Sequence, residues 1–443
     1  MRQIAIIADD LTGASDSGVQ FARKGFGTQV IFHIDHFSEG IEHLEVIVLD
    51  TDSRSIAANA AYERAAEAAA RARKLDFQHI YKKMDSTLRG NLGAELDAVA
   101  DTVQPDFTAV ALAFPKIGRT TRGGIHYLNR LPVSETEIAR DPKCPVTESD
   151  LVRLFDSQSK RKAGLVPLET LHAGKEAVLS RIQALLQEQI QNILFDAVTE
   201  VDMQQIAVIL AASGYRILWA GSAGLADYLP DALALSGGSG GQGEASKSAI
   251  TDMNHPVLLV AGSISGVTRG QVAAFNRCPD VTAVEFDTVR AITSDEGRLQ
   301  DIERCRTELL EAIAAGSDVS LYASSSPEHV RLSKAAGAKR GFDEKEVSNR
   351  IAATLGEIAA GVIGEVQLQG VILTGGDTAK AVCRHLGVSG IQLVRELEPG
   401  IPLGQLVGSG SNPLWVVTKA GAFGSEQSLA NAKQALKGDQ SNE

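Results

Sequence analysis

Residues 4–14 read IAIIADDLTGA, an apolar run that ends in two aspartates and leads into a helix-like stretch. Residues 371–379 read VILTGGDTA, a second apolar run that ends in two glycines, an acid and a hydroxyl. A strand that turns through small residues into a helix presents backbone N–H groups and a positive dipole end to an anion. The first segment predicts a pocket for a polar substrate, and the second predicts a pocket for phosphates.

Short apolar runs recur along the chain, separated by long stretches rich in Ala, Glu, Lys, Arg and Gln. The runs are residues 4–8, 46–49, 109–114, 217–220, 257–261, 319–323, 371–374 and 415–418. They are continuous rather than alternating, which is typical of strands buried on both faces. The clearest helical stretches are 57–74 and 175–191. Strand followed by helix, repeated, predicts an α/β fold with mostly parallel sheets flanked by helices.

The length and one unusual segment predict two domains. A chain of 443 residues is too long for one ordinary core. Residues 236–255 are rich in Gly and Ser and have no apolar periodicity, so they indicate a linker or a surface loop. We therefore expect domains at residues 1–235 and 256–443, joined by the 236–255 linker.

Composition excludes several classes of partner. The formal net charge is −12, the pI is about 5.3 and aromatic residues make up 5% of the chain. These values argue against a nucleic-acid partner and against an anionic membrane surface, although a local basic cluster could still bind a small acidic substrate. The chain shows neither a signal peptide nor an apolar segment of membrane-spanning length, so we expect a cytoplasmic protein. A homodimer is left open.

Two candidate groups follow the early strands. Asp9 and Asp10 can orient hydroxyls, hold a metal or take a proton, whereas the structural alternative is that Asp10 or Thr12 caps the next helix. Arg54 could form a bidentate pair with a substrate carboxylate, or it could pair with a neighbouring acid, Asp50 or Asp52.

The densest polar cluster is KKMDSTLRGN at residues 82–91, after a short apolar turn at 79–81. It indicates either a binding loop or a charged helix start with Asp85 or Ser86 as the N-cap. Residues 115–150 form a long irregular stretch that contains several Arg and Lys residues. Long ordered loops of this kind are often functional, and the alternative is a solvated surface loop.

Three glycine-rich strand ends occur in the C-terminal half, at residues 262–266, 375–378 and 419–424. Each alone is typical of an ordinary tight turn, but three in one domain favour a nucleotide cradle. The P-loop pattern G-x-x-x-x-G-K-[ST] is absent, as is the G-x-S-x-G of hydrolases.

Taken in order, these segments resemble the four-carbon acid sugar kinase family over nearly the whole chain. The matching stretches are IADDLTGASDSG at 7–18, KKMDSTLRGNLGAELDA at 82–98, PKIGRTTRGGIHYLN at 115–129, RDP at 140–142, GSISGVT at 262–268, GGDTA at 375–379 and KAGAFG at 419–424. The resemblance implies an N-terminal domain that binds a tetronate-type acid and a C-terminal domain that binds ATP. The active site would then lie in the interdomain cleft, with Mg²⁺ on the phosphates and the 4-hydroxyl of the acid as acceptor.

The resemblance also implies residue roles. The substrate would contact Asp9, Asp10, Arg54, Lys82, Lys83, Met84, Asp85 and Arg89. The nucleotide would contact Ser263, Ser265, Gly375, Gly376, Asp377, Thr378 and Gly421. Asp10 and Asp377 are both candidates for the catalytic carboxylate.

Leu88-Arg89 stands where 3-oxo-tetronate kinases are expected to carry Ala-Lys, which favours D-threonate or D-erythronate as substrate. A 3-oxo-tetronate kinase is the alternative within the family. A non-kinase sugar-acid enzyme and a sugar-acid sensor are the alternatives outside it.

Overall fold

The computed structural model describes residues 2–32, 41, 43–141, 143–237, 255–408 and 414–438. The chain divides into two compact units, Met1–Gly241 and Gln242–Glu443. Most of the predicted linker, residues 238–254, lies outside the described residues, as does Pro142 of the RDP motif. The predicted domain limits therefore stay predictions.

The N-terminal unit contains a parallel eight-stranded sheet in the order β2-β3-β1-β4-β11-β5-β10-β9. Its strands are β1 (Ile4–Ala8), β2 (Thr28–Ile31), β3 (Val46–Asp50), β4 (His79–Lys83), β5 (Phe107–Ala111), β9 (Ala163–Val166), β10 (Asn192–Phe195) and β11 (Ile217–Gly221). A separate antiparallel sheet consists of β6 (Arg119–Arg122), β7 (Ile125–Leu128) and β8 (Leu131–Pro132). The last strand of the unit, β11, lies near the middle of the large sheet.

The helices of this unit follow the strands, as expected for α/β connections. They are α1 (Leu11–Ala22), α2 (Ala58–Lys74), α3 (Leu92–Val103), α4 (Leu151–Gln158), α5 (Leu168–His172), α6 (Lys175–Gln187), α7 (Glu200–Ala211), α8 (Ala223–Ala226) and α9 (Leu229–Ala232). Helix α2 shows why such stretches fold: its buried residues, Ala61, Ala65, Ala68, Ala69 and Ala72, follow the spacing i, i+4, i+7, i+8 and i+11 of one helix face. That spacing places one small apolar face in the core with the apolar strands.

The C-terminal unit contains a seven-stranded sheet in the order β13-β14-β12-β15-β18-β17-β16. Its elements are β12 (Val257–Ala261), α10 (Gly266–Asn276), β13 (Val281–Phe286), α11 (Thr288–Thr293), α12 (Asp295–Ala314), β14 (Asp318–Ala323), α13 (Pro327–Lys339), α14 (Glu344–Glu365), β15 (Gly370–Thr374), α15 (Gly376–Leu386), β16 (Gly390–Glu398), β17 (Ile401–Val407), β18 (Trp415–Lys419) and α16 (Ser428–Leu436). Five strands are parallel, whereas β17 pairs antiparallel with both β16 and β18. Among the described helices, none has both the length and the apolar composition needed to cross a membrane.

The α/β class with mostly parallel sheets is confirmed, but two local predictions were wrong. The apolar turn expected at 79–81 is part of strand β4, and the next helix begins only at Leu92, with Asn91 as its N-cap. The stretch 115–150 is not an irregular loop, because it holds the three-stranded sheet and the 3-10 helices Pro115–Ile117, Val133–Glu135 and Glu137–Arg140. The predicted apolar runs also left out β2, β9, β10, β13, β16 and β17. Strands β16 and β17 pair as an antiparallel hairpin, and polar residues such as Gln392 and Gln405 interrupt their apolar sequence.

Candidate functional site

The first cluster lies at the carboxyl ends of three neighbouring parallel strands, β3, β1 and β4. Asp10 is the N-cap of α1 and accepts hydrogen bonds from the Gly13 amide at 2.9 Å and from Thr12 Oγ1 at 2.6 Å. The expected capping role of Asp10 is therefore present, and it leaves the carboxylate at the strand edge where ligands bind in α/β sheets.

Arg54 joins both aspartates. Its Nε and Nη2 donate to Asp9 at 2.7 and 2.9 Å, and its Nη1 and Nη2 donate to Asp10 at 2.8 and 2.6 Å. Asp85 Oδ1 lies 3.5 Å from Nη2 of the same guanidinium. Arg54 is thus paired, but with acids 44 and 45 positions away rather than with Asp50 or Asp52. Its part in substrate binding stays a prediction.

The network continues through a second arginine. Arg89 Nε and Nη2 donate to the two oxygens of Asp85 at 2.9 and 3.1 Å, and Arg89 Nη1 lies 3.4 Å from Asp141. Burial raises the pKa of Asp85, but Arg89 and Arg54 outweigh that effect and hold the pKa well below its ordinary value. Asp85 therefore stays ionised, and its loop carries a left-handed Leu88, whose φ is +67°. Backbone strain of this kind is concentrated at binding sites.

The two lysines of the cluster, Lys82 and Lys83, have different hydrogen-bond partners. Lys82 is fully buried and pairs with Glu95 at 2.7 Å, so its charge is balanced within the N-terminal unit. Lys83 is also buried, and its Nζ donates to the Met84 carbonyl at 2.9 Å. A Cβ on Gly13 would lie 2.7 Å from Asp10 Oδ1 and 2.9 Å from Lys83 Nζ. Gly13, which was not among the predicted site residues, thus leaves the space that Asp10 and Lys83 occupy beside the start of α1.

Met84 is fully buried in the hydrophobic core, and its amide donates to the Gly221 carbonyl at 2.7 Å. Its side chain therefore holds the loop to the sheet. His126, also buried, contacts the same loop, with Nε2 2.9 Å from the Ser86 carbonyl and Nδ1 2.9 Å from Thr121 Oγ1. Burial lowers the pKa of His126 to about 4. In the sequence, the only sign of His126 as a site residue was its place in the motif at 115–129.

The second cluster lies at the carboxyl ends of β12, β15 and β18, which are neighbours in the C-terminal sheet. A Cβ on Gly421 would lie 2.4 Å from Ser263 Oγ, and a Cβ on Gly262 would lie 2.2 Å from Thr378 Oγ1. Only glycine permits such close approach of three turns. The structure thus brings together the predicted residues Ser263, Ser265, Gly375, Gly376, Asp377, Thr378 and Gly421.

Two helix N-termini face this second cluster. Ser265 is the N-cap of α10 and accepts from the Thr268 amide at 3.1 Å, and Gly375, with a φ of +98°, is the N-cap of α15. Asp377 lies exposed in the first turn of α15. Helix N-termini favour anions, so this edge of the C-terminal sheet can hold phosphates.

No group of three or more His, Cys, Asp or Glu side chains in the described ranges is arranged to hold a metal ion. Mg²⁺, however, is commonly held by substrate phosphates, waters and one or two carboxylates. Asp377, a carboxylate beside the phosphate-type turns, fits that mode of binding.

Known proteins resemble the chain along its full length. A family model described as a sugar-binding N-terminal domain matches residues 4–229, and one described as a nucleotide-binding C-terminal domain matches residues 258–429. A D-erythronate kinase of Heliobacterium modesticaldum is 32% identical, covering 100% of this chain and 99% of its own. A D-threonate kinase of Salmonella typhimurium is 33% identical, covering 97% of each chain.

A 3-oxo-tetronate kinase of Pseudomonas savastanoi pv. phaseolicola is 31% identical, covering 98% of this chain and 97% of its own. Among solved structures, a Salmonella typhimurium protein provisionally described as a tRNA synthase is 25% identical, with a TM-score of 0.79 over 98% of this chain and 100% of its own. Sequence and fold agree along both units, and the chain belongs to the four-carbon acid sugar kinase family.

Proposed function

We propose that this protein is a kinase that transfers the γ-phosphoryl group of ATP to the 4-hydroxyl of a four-carbon sugar acid, with D-threonate or D-erythronate as the preferred acceptor. One observation carries the proposal: a charged cluster suited to a small polyhydroxy acid and a glycine-rich cluster suited to phosphates occur in one chain. Full-length kinase relatives support it.

In the N-terminal unit, Lys83 is the cation best placed to meet the carboxylate of the substrate. Its ammonium is buried, and its hydrogen bond goes to a neutral backbone carbonyl rather than to an acid. A buried charge gains from an ionic partner, and a carboxylate supplies one. Arg54 would act by holding the two aspartates and by adding positive charge to the pocket.

Asp9 would orient a substrate hydroxyl as a carboxylate. Burial raises its pKa, but Arg54, Lys82 and Lys83 outweigh burial, so the net pKa is lowered. A carboxylate with a lowered pKa is a weak proton acceptor, so Asp9 is the poorer candidate for a general base. Asp10 and Asp377 remain the candidates for the catalytic carboxylate.

In the C-terminal unit, the three glycine-rich turns would bind the phosphates of ATP, and Asp377 would help hold Mg²⁺. The ion supplies neutralisation of phosphate charge when bound. Transfer needs the acceptor oxygen within about 3–3.5 Å of the phosphorus, so both ligands must meet during turnover. That the reaction takes place between the domains stays a prediction, as does a homodimer. We place the enzyme in the cytoplasm, where ATP is available.

A substrate panel tests the proposal directly. The full chain is incubated with ATP, Mg²⁺ and either D-threonate, D-erythronate, 3-oxo-tetronate or the uncharged tetritol erythritol, and ADP release is measured. We expect turnover with one of the first two acids, and none with erythritol at equal concentration. A preference for 3-oxo-tetronate would mean that the protein is a 3-oxo-tetronate kinase instead. ADP release that no acid stimulates would overturn the kinase assignment and favour a sensor.

A further inference from the structure

Lys419, the last residue of β18, is almost completely buried, with 1% of its surface exposed. Among the ion pairs of the described residues, none includes Lys419. Burial lowers the pKa of its ammonium to about 7, and Glu398 opposes that shift only in part. A buried ammonium without an acid is unfavourable unless other groups satisfy its donors.

Three backbone carbonyls satisfy it. Lys419 Nζ donates to Ala420 O at 2.8 Å, to Phe423 O at 3.1 Å and to Gly421 O at 3.3 Å. These carbonyls belong to the turn at residues 420–424, which lies above the ammonium and is half-buried to exposed. One side chain thus fixes three peptide units of one short turn.

The direction of these carbonyls decides where the amides point. In a trans peptide the N–H of the next residue lies opposite the C=O, so the amides of Gly421, Ala422 and Gly424 are directed away from Nζ. Within the described part of the chain, these three amides have no hydrogen-bond acceptor. Successive N–H groups on one side of a turn form an anion-binding concavity.

Side chains of helix α10 also donate to two of these three carbonyls. Gly421 O also accepts from Ser265 Oγ at 2.6 Å and Thr268 Oγ1 at 2.8 Å, and Phe423 O accepts from Gln271 Nε2 at 2.9 Å. The turn is therefore held in one conformation before any ligand arrives. Preorganised donors need no reorganisation on binding.

We infer that Lys419 is a positioning residue, which holds the 420–424 turn so that its amides bind a phosphate group of the nucleotide. This inference rests on the proposed function for the identity of the ligand. Lys419 itself does not touch the nucleotide, because its three donors are used by the turn.

The experiment compares Lys419→Met with Lys433→Met in the full chain. Lys433 is a buried lysine of the same unit whose ammonium pairs with Asp280 at 2.6 Å instead of donating to the 420–424 turn. For Lys419→Met we expect ADP affinity, measured by calorimetry, to fall about 10- to 100-fold, as for the loss of one to two charge-assisted hydrogen bonds. The KM for ATP should rise while the KM for the acid stays unchanged. Lys433→Met should leave ADP affinity unchanged and lower Tm.

Thr268→Val supplies an independent test, because it removes one donor to Gly421 O with almost no change in volume. We expect a loss of about 3- to 10-fold in ADP affinity. Wild-type ADP affinity in a folded Lys419→Met variant, or an equal loss of acid and ADP affinity, would overturn the inference. If Lys419→Met does not fold, unchanged ADP binding by Thr268→Val overturns it. If no acid is phosphorylated but ADP binding depends on Lys419, the kinase proposal fails and the positioning role stands.

Discussion

The two clusters, one in each unit, are built from different chemical groups. The N-terminal cluster is made of charged side chains: two aspartates share one arginine, and a third aspartate is paired with a second arginine. The C-terminal cluster is made of backbone amides, glycines and hydroxyls, with one buried lysine beneath them. Charged side chains can discriminate among small acids by the positions of the carboxylate and hydroxyl groups, whereas backbone amides bind phosphates, which all nucleotides share. From this contrast we expect loss of a charge to destabilise the first cluster, and the second cluster to be most sensitive to changes that displace its turns.

The largest effect is expected for Arg54→Ala. The change leaves Asp9 and Asp10 side by side without their cation, and breaking a buried ion pair in this way costs about 3–5 kcal/mol. Urea unfolding should show a loss of stability of that order. The control is Arg216→Ala, whose exposed pair with Asp106 should contribute less than about 1 kcal/mol. Equal losses for the two variants would mean that the N-terminal cluster is not held by its charges.

Asp377→Ala should lower turnover strongly without weakening acid binding. Asp377 would help hold the Mg²⁺ that neutralises phosphate charge, so its loss should lower kcat roughly 100- to 1000-fold. Binding of the acid is measured by calorimetry in the absence of nucleotide, and kcat is measured at saturating ATP. A variant that keeps its kcat but loses acid affinity would show that the two clusters have been assigned to the wrong ligands.

Gly421→Ala should weaken nucleotide binding specifically, because the new Cβ would lie 2.4 Å from Ser263 Oγ and force the turns apart. We expect ADP affinity to fall about 10-fold or more, the loss expected when the amides of the turn are displaced from the phosphates. Gly270→Ala is the matched control, since a Cβ there meets no atom within 4 Å. ADP binding equal to wild type in Gly421→Ala would remove the turn from the nucleotide site.

The smallest effect is expected for His126→Gln, and it depends on pH. The pKa of His126 is lowered to about 4, so between pH 6.5 and pH 4 the unfolded chain binds a proton that the folded chain does not. Stability therefore falls as the pH is lowered through this window, by roughly 1 kcal/mol between pH 7 and pH 5.5. Glutamine can still donate to the Ser86 carbonyl, so the variant should lose this slope and keep its stability at pH 7. If the wild type and His126→Gln lose the same stability as the pH falls, His126 is not the source of the pH dependence.

The sequence could predict which strand ends carry the residues of the candidate site. Apolar runs followed by Asp9, Gly375 and Gly421 mark where buried parallel strands stop, and the fold places such ends at one edge. The pairing of Arg54 with Asp9 could not be predicted, because it depends on which strands become neighbours. Lys419 was missed for a related reason: in the sequence it is an ordinary charge after an apolar strand, and only the folded turn surrounds it with carbonyls.

The order of strands has a consequence for how the chain is made. In each unit the last strand of the described residues is an interior one: β11 lies between β4 and β5, and β18 lies between β15 and β17. Until residue 221 leaves the ribosome, the N-terminal sheet is two separate pieces with open edges, and the same holds for the C-terminal sheet until residue 419. Open edges are sites of aggregation, so nascent chains of this protein depend on prompt arrival of the final strand. These two strands also carry Gly221, whose carbonyl accepts from the Met84 amide, and Lys419, so each of the two clusters is completed only when this strand of its unit has been synthesised.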